Sequence, residues 1–474
     1  MQLSELIAGI PARLYNMKDV DIGSIEFDSQ KIGRGSLFIA VKGEKHDGHN
    51  YIDDAERNGA VAVITQTKAK TELPQVVVQD SRAIMRRLAI RFYGAFDDLT
   101  KIGITGTNGK TTTAFLIHSI LSRAGRNPGL IGTVYYLSKT KRKAGRTTPE
   151  ILDTLKMLKE FRDDNISSVV MEVSSHALKL KRVEDIRFDA AVFINLSQDH
   201  LDFHETMSDY KRSKLHIFSL LKPSGYAVYN SDDRVGQEIK ALPIPNKISF
   251  GTAKDSDVQG QVIDETLTGL SLEIRYADQS YTVRSSLVGA FNLYNILGAF
   301  ACCVSLGIPT EDIIHGIETL KTVRGRMERV DDNVFVDFAH TPSAIENVLR
   351  SMRKYVTGRL ILVFGCGGDR DRAKRPQMGA IATRLADFVV ITSDNPRSES
   401  PLKIIDDIKK GVVRDNYEVI ADRTDAIRFA INSMEKNDTV IVAGKGHEEY
   451  QIIDDKKLDF DDAEVVRKCF ASSC

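Results

Sequence analysis

The run KIGITGTNGKTTT at 101–113 constrains this chain more than any other. An apolar strand leads into Gly106, Thr107, Asn108 and Gly109. Lys110, Thr111 and Thr112 then open a segment in which Ile117, Ile120, Leu121 and Ala124 recur at helical spacing. A strand that hands a glycine turn to a helix N-terminus points free backbone N–H groups and the positive end of the helix dipole at one spot, a cradle for polyphosphate. Lys110 is then placed for the β- and γ-phosphates and the Thr111 hydroxyl for Mg²⁺. The common loop pattern G-x-x-x-x-G-K-[ST] has glycine where this chain has Ile104, so the loop is a variant and the GKT turn alone is moderately specific.

A chain of 474 residues has room for about three domains of roughly 150 residues each. Lysine plus arginine and aspartate plus glutamate number 65 each, which leaves no net field to gather nucleic acid. No apolar stretch approaches the roughly 18 residues of a membrane span. Glu5 stands where an export signal would be basic, and five cysteines show neither zinc nor redox spacing, so a cytoplasmic setting is expected.

The remaining periodicities predict α/β units in tandem. Strands are expected at 36–41, 60–65 and 75–80 with a helix over 52–58, then strands at 167–173 and 190–196, a hairpin over 270–287 and a helix after Phe291. The last third alternates VFVDF, RLILVFG, DFVVITS and TVIVAG with helical stretches, which predicts a parallel sheet covered by helices. The expected domains are 1–97, 98–324 and 325–474.

Glu172 ends an apolar run and is placed to support a metal beside the phosphates, and His200 follows the next strand. His200 and His204 share i, i+4 spacing, but zinc is a weak reading without the H-E-x-x-H glutamate or a third ligand. GCGGDR has Arg370 where a dinucleotide fingerprint needs its third glycine, so a dehydrogenase is discarded. From the loop alone, a phosphotransferase or simple NTPase stays open.

GITGTNGKTTT, MEVSSHAL, NLSQDHLDFH, GAFNLYN, GRMERV, VDFAHTP, GCGGDRDRAKRP, DNPRSESP and GKGHEEYQ, taken in this order, resemble the Mur ligases of cell-wall precursor synthesis. The resemblance runs from Asp28 to Glu464. It implies a small α/β N-terminal domain that binds a UDP-sugar, a central P-loop ATPase-like domain and a Rossmann-like C-terminal domain that binds an amino acid. The activity implied is ATP-dependent amide formation on UDP-N-acetylmuramoyl-L-alanyl-D-glutamate by a monomer, with small-molecule substrates only.

The same resemblance assigns residues. Gly106, Thr107, Asn108, Gly109, Lys110, Thr111, Thr112, Asn292, Arg326, Asp337 and His340 would hold ATP, the last three brought from the third domain when the domains close. Thr111, Glu172 and His200 would hold Mg²⁺, together with Lys214 as a carbamate (N6-carboxylysine); Lys110, Glu172, His200 and Lys214 are the catalytic set. Lys214 must be neutral to take up CO₂, so it needs a depressed pKa; without the family it reads as an exposed helix lysine. Ser29, His46, Thr147, Thr148, Ser174 and Arg182 would hold the nucleotide-sugar dipeptide. Gln30 and Gln198 depart from the family, where arginine is common at both positions.

Arg370, Asp394, Asn395, Pro396, Arg397, Gly444 and Glu448 would form the amino-acid pocket at the carboxyl edge of one sheet. A guanidinium at Arg397 grips the far carboxylate of meso-diaminopimelate, whereas L-lysine would present an ammonium there. Arg370 would face a carboxylate and Glu448 an ammonium. L-Lysine as the amine, or a nucleotide-gated binding protein without ligase chemistry, are the alternatives.

Overall fold

The computed structural model describes residues 1–43, 46–454 and 456–471, which group into two units. One comprises Met1–Leu99, Pro149–Ile166 and Leu180–Arg187; the other comprises Thr100–Thr148, Ser167–Lys179 and Phe188 onward.

In the first unit β1 (Arg13–Tyr15), β2 (Ser24–Glu26), β3 (Ser36–Ile39), β4 (Ala60–Thr65) and β5 (Gln75–Val77) form a sheet of order β1-β5-β4-β3-β2, parallel except at β1. The predicted strands at 36, 60 and 75 and the helix from Ile52 are found, the last ending at Arg57. The helix Ser81–Tyr93 was not predicted; Asp80 caps it by accepting from the N–H groups of Arg82 and Ala83.

The second unit begins with β6 (Thr100–Thr105), β7 (Pro128–Ile131), β8 (Tyr135–Leu137), β9 (Lys141–Lys143), β10 (Ser168–Glu172), β11 (Phe188–Phe193), β12 (Leu221–Asn230), β13 (Asn246–Gly251), β14 (Val258–Thr266), β15 (Gly269–Tyr276) and β16 (Gln279–Ser285). These make one sheet, ordered β16-β15-β14-β13-β12-β11-β6-β10-β7-β8-β9. Its middle is parallel, so the carboxyl ends of β6, β10 and β11 lie side by side. The predicted hairpin is β15–β16, turned by Ala277 and Asp278, both at positive φ, and β14 extends it into a three-stranded meander.

The second sheet of this unit contains β17 (Glu328–Asp331), β18 (Val334–Asp337), β19 (Leu360–Phe364), β20 (Phe388–Ile391), β21 (Tyr417–Val419) and β22 (Thr439–Ala443), in the order β17-β18-β22-β19-β20-β21. Only β17 is antiparallel. Leu360, Leu362 and Phe364 enter one apolar cluster and Ile361 and Val363 another, so both faces are covered, which explains why these strands read as unbroken apolar runs. A hairpin, β23 (Tyr450–Ile453) and β24 (Lys456–Asp459), follows β22. Among the described residues no helix is long and apolar enough to cross a membrane.

Candidate active site

The turn after β6 opens the helix Lys110–Arg123, and Gly109 sits at φ +85, where a side chain would be strained and its Cβ would strike Asn295 Oδ1. Asn195 Oδ1 accepts from the Asn108 N–H at 2.9 Å, and the Thr107 hydroxyl lies 3.1 Å from both the Ser197 carbonyl and the Tyr210 hydroxyl. Lys110 Nζ folds onto the loop, donating to the carbonyls of Gly106 and Thr107 at 2.9 and 3.0 Å. Burial lowers its pKa, opposed by the charges of Glu172 and Asp199. Thr107 to Thr112 line a cleft of about 1430 Å³ within the second unit.

Glu172 ends β10 fully buried. Its carboxylate accepts from the Thr111 hydroxyl at 2.9 Å and from the Thr133 N–H and hydroxyl, both at 2.8 Å. Thr148 Oγ1 donates to the Glu172 carbonyl at 2.9 Å and accepts from the Ser174 N–H at 3.0 Å, while Thr147 Oγ1 lies 3.2 Å from Thr133 Oγ1. Thr147, Thr148 and Ser174 therefore surround the strand end that carries Glu172. No spacing in the sequence pointed to Thr133 or Asn295.

His200 lies past β11, its Nε2 3.5 Å from Asp199 and its ring edge-on to His176 with centroids 4.7 Å apart. Burial lowers its pKa to about 4, with Asp199 opposing. His204 is turned away from the cleft into the protein, where Nε2 lies 2.9 Å from the Ser175 hydroxyl. Among the described residues no three His, Cys, Asp or Glu side chains gather as a metal cluster.

Lys214 is 1% exposed, which corrects its reading as a surface lysine. Its Nζ donates to the Gly106 carbonyl at 2.6 Å, and its pKa falls well below the ordinary lysine value, from burial first and then the charge of Lys110.

Arg326, just before β17, donates to Thr111 Oγ1 at 3.2 Å and packs on the ring of Phe338, so it reaches the phosphate loop. Asp337 at the end of β18 accepts from the N–H groups of Met327 and Ala339 at 2.7 and 2.8 Å, and burial raises its pKa. His340 Nδ1 is 2.8 Å from the Phe338 carbonyl. Asn292 donates to the Val288 carbonyl at 2.8 Å and lines the same cleft as Arg326, Asp337 and His340.

Residues just past the carboxyl ends of β19, β20 and β22 line the same cleft, as the alternating pattern predicted. Arg370, Asp394, Asn395, Arg397, Gly444 and Glu448 line it. Pro396 joins Asn395 to Arg397, whose φ is +53 and whose Nη1 donates to the Gly368 carbonyl at 2.7 Å. Burial, and next the charge of Arg370, lower the Arg397 pKa, opposed by the carboxylates of Asp394, Glu448 and Asp369. Lys445, which the sequence reading includes only within the stretch from Gly444 to Glu448 and gives no role of its own, is fully buried with its Nζ 3.3 Å from Glu448 Oε2.

Ser29, His46 and Arg182 belong to the first unit. Ser29 lines a cleft of about 370 Å³ with Gln30, Tyr51, Asp54, Arg57 and Asn58. His46 is exposed, and its predicted loop includes Glu44 and Lys45, outside the described residues. Arg182 Nε is 3.0 Å from Glu150.

Comparison with known families and proteins bears on what this geometry serves. Residues 21–93 match the "Mur ligase family, catalytic domain", 104–303 the "Mur ligase middle domain" and 325–446 the "Mur ligase, glutamate ligase domain". The chain belongs to the Mur ligase family. As a Mur ligase it is an ATP-dependent ligase of the three-domain α/β class, as the motifs implied.

Two curated Mur ligases illustrate the likeness, both named UDP-N-acetylmuramoyl-L-alanyl-D-glutamate--2,6-diaminopimelate ligase. The protein of Bacillus velezensis is 42% identical, with 98% of each chain covered; that of Caldanaerobacter subterraneus is 41% identical over 100% of each. A solved structure of the same name is 31% identical with a TM-score of 0.67, covering 100% of this chain and 99% of that one. The MurF ligase of Thermotoga maritima in complex with ADP shares the fold at 22% identity, with a TM-score of 0.69, covering 96% of this chain and 99% of that one.

Proposed function

We propose that this Mur ligase joins meso-2,6-diaminopimelate to the D-glutamate of UDP-N-acetylmuramoyl-L-alanyl-D-glutamate, supplying a peptidoglycan precursor. The carrying observation is that one cleft is lined both by the phosphate loop and by Arg370, Arg397 and Glu448. Amide formation in water is uphill unless the acid oxygen is made a leaving group. The D-glutamate carboxylate attacks the γ-phosphorus of ATP and ADP leaves; the amine adds to the resulting acyl phosphate; the tetrahedral intermediate expels phosphate and the nitrogen loses a proton.

Both steps gather negative charge, which Lys110 and Arg326 offset from fixed positions. Asn292, Asp337 and His340 serve the nucleotide. Glu172 and Thr111, buried oxygen donors beside the loop, would hold Mg²⁺ together with His200 and a carbamylated Lys214, a donor set that suits a hard cation. Mg²⁺ there would neutralise phosphate charge. Thr147, Thr148 and Ser174, and in the first unit Ser29, His46 and Arg182, hold the nucleotide-sugar dipeptide. The enzyme works as a cytoplasmic monomer with domains near 1–97, 98–324 and 325–474.

Arg397 selects the amine by gripping the distal carboxylate of diaminopimelate. Phosphate release from ATP tests the reading: it should require both the muramoyl dipeptide and diaminopimelate, and release without either contradicts it.

A further inference from the structure

We propose that Lys445 is a positioning residue for amine recognition: with the Asn395 amide it clamps one oxygen of Glu448 and so presents the other to the ammonium group of the amino-acid substrate. This rests on the reading of the cleft given above.

Lys445 lies between Gly444 and Gly446, at φ +114 and +54, and its side chain is 0% exposed. Its Nζ donates to Asn395 Oδ1 at 3.1 Å and Glu448 Oε2 at 3.3 Å, with the rings of Tyr450 and Phe460 at 5.7 and 5.9 Å. Asn395 completes the clamp: its Nδ2 donates to Glu448 Oε2 at 2.7 Å, and its Oδ1 is fixed by the Ile452 N–H at 2.9 Å. Both donors meet Oε2; among the described residues Oε1 accepts no hydrogen bond, and Glu448 lines the cleft.

Enclosed behind Glu448, the lysine acts through that carboxylate. Burial and then, on the same side, Asp394 push the Glu448 pKa up, and Lys445 is the largest opposing influence. Arg326, Arg397, Arg423 and Tyr450 also face Glu448. A protonated Glu448 has no charge to offer an ammonium, so loss of Lys445 should weaken binding of the amine and leave the phosphate chemistry alone.

The test is steady-state kinetics on the full-length enzyme with diaminopimelate varied, for wild type, Lys445→Met and Lys445→Gln. At pH 7 both variants should raise the diaminopimelate KM about tenfold or more, with kcat within about threefold and the ATP KM unchanged. The raised KM should fall again as pH is raised and Glu448 ionises, a recovery that the wild type, with Lys445 in place, should not need. A merely structural lysine would instead lower kcat and raise every KM without recovery at high pH.

Unchanged diaminopimelate KM in folded variants, or a rise that ignores pH, overturns the clamp. If neither variant folds, the wild type decides: a diaminopimelate KM that climbs as pH is lowered in wild type but not in Glu448→Gln means Glu448 protonates with Lys445 in place, and the proposal is wrong. Wild type that forms no diaminopimelate adduct refutes the underlying reading and the clamp with it; active wild type with indifferent variants refutes the clamp alone.

Discussion

Lys110 and Lys214 donate hydrogen bonds to one oxygen, the Gly106 carbonyl, at 2.9 and 2.6 Å. Burial first, and then the neighbouring charge of Lys110, push the Lys214 pKa well below the lysine range. Only the neutral amine can attack CO₂, losing a proton as the carbamate forms. Enzyme in ¹³C-bicarbonate should therefore show a carbamate resonance that Lys214→Ala abolishes, and that variant should lose about 10² or more in kcat. No resonance in active wild-type enzyme would argue against modification.

Arg326 brings a second cation to the loop through Thr111 Oγ1. Arg326→Ala should lower kcat/KM for ATP by about 10²-fold while leaving the diaminopimelate KM within a few fold. Initial rates at varied ATP check this.

Arg397→Ala should lower kcat/KM for diaminopimelate by about 10²-fold or more, because the site loses its partner for the distal carboxylate. Turnover of L-lysine should change far less, narrowing the ratio between the two amines. Parallel rate measurements with each amine give that ratio.

Arg423 and Asp462 form a buried pair, both 0% exposed, with Nε and Nη2 each 2.7 Å from a carboxylate oxygen. Arg423 also donates to the carbonyls of Ser393 and Ala443, tying the pocket-bearing ends of β20 and β22 to the last helix. Asp462→Ala leaves the guanidinium buried and uncompensated, so it should cost about 3–5 kcal/mol. Urea denaturation monitored on the C-terminal sheet measures it.

Burial holds His200 at about 4 and His447 at about 3, against 6.5 in the unfolded chain. Between those values the unfolded state binds protons that the folded state refuses. Their contribution to stability is complete above about pH 6.5 and is lost as pH falls toward the folded values. Melting temperature should drop from pH 7 to pH 5, and His447→Asn should flatten the drop.

The strands and the phosphate loop were legible because their signals are local: KIGIT before a glycine turn, and apolar runs such as Leu360–Phe364 covered on both faces. Strand β14 was missed because Gln259, Gln261, Asp264 and Glu265 interrupt its apolar pattern. The burial of Lys214 and Lys445 was illegible for another reason. Each is enclosed by segments far away in sequence, Gly106 for one and Asn395 for the other, and no spacing encodes that.

The central claim is that ATP activates an acid which an amine, chosen by Arg397, then captures. Mass analysis of the product from ATP, the muramoyl dipeptide and equal diaminopimelate and L-lysine tests it most directly. The account predicts the diaminopimelate adduct, with one phosphate released per amide formed. A lysine adduct in excess, or phosphate without any adduct, would contradict it.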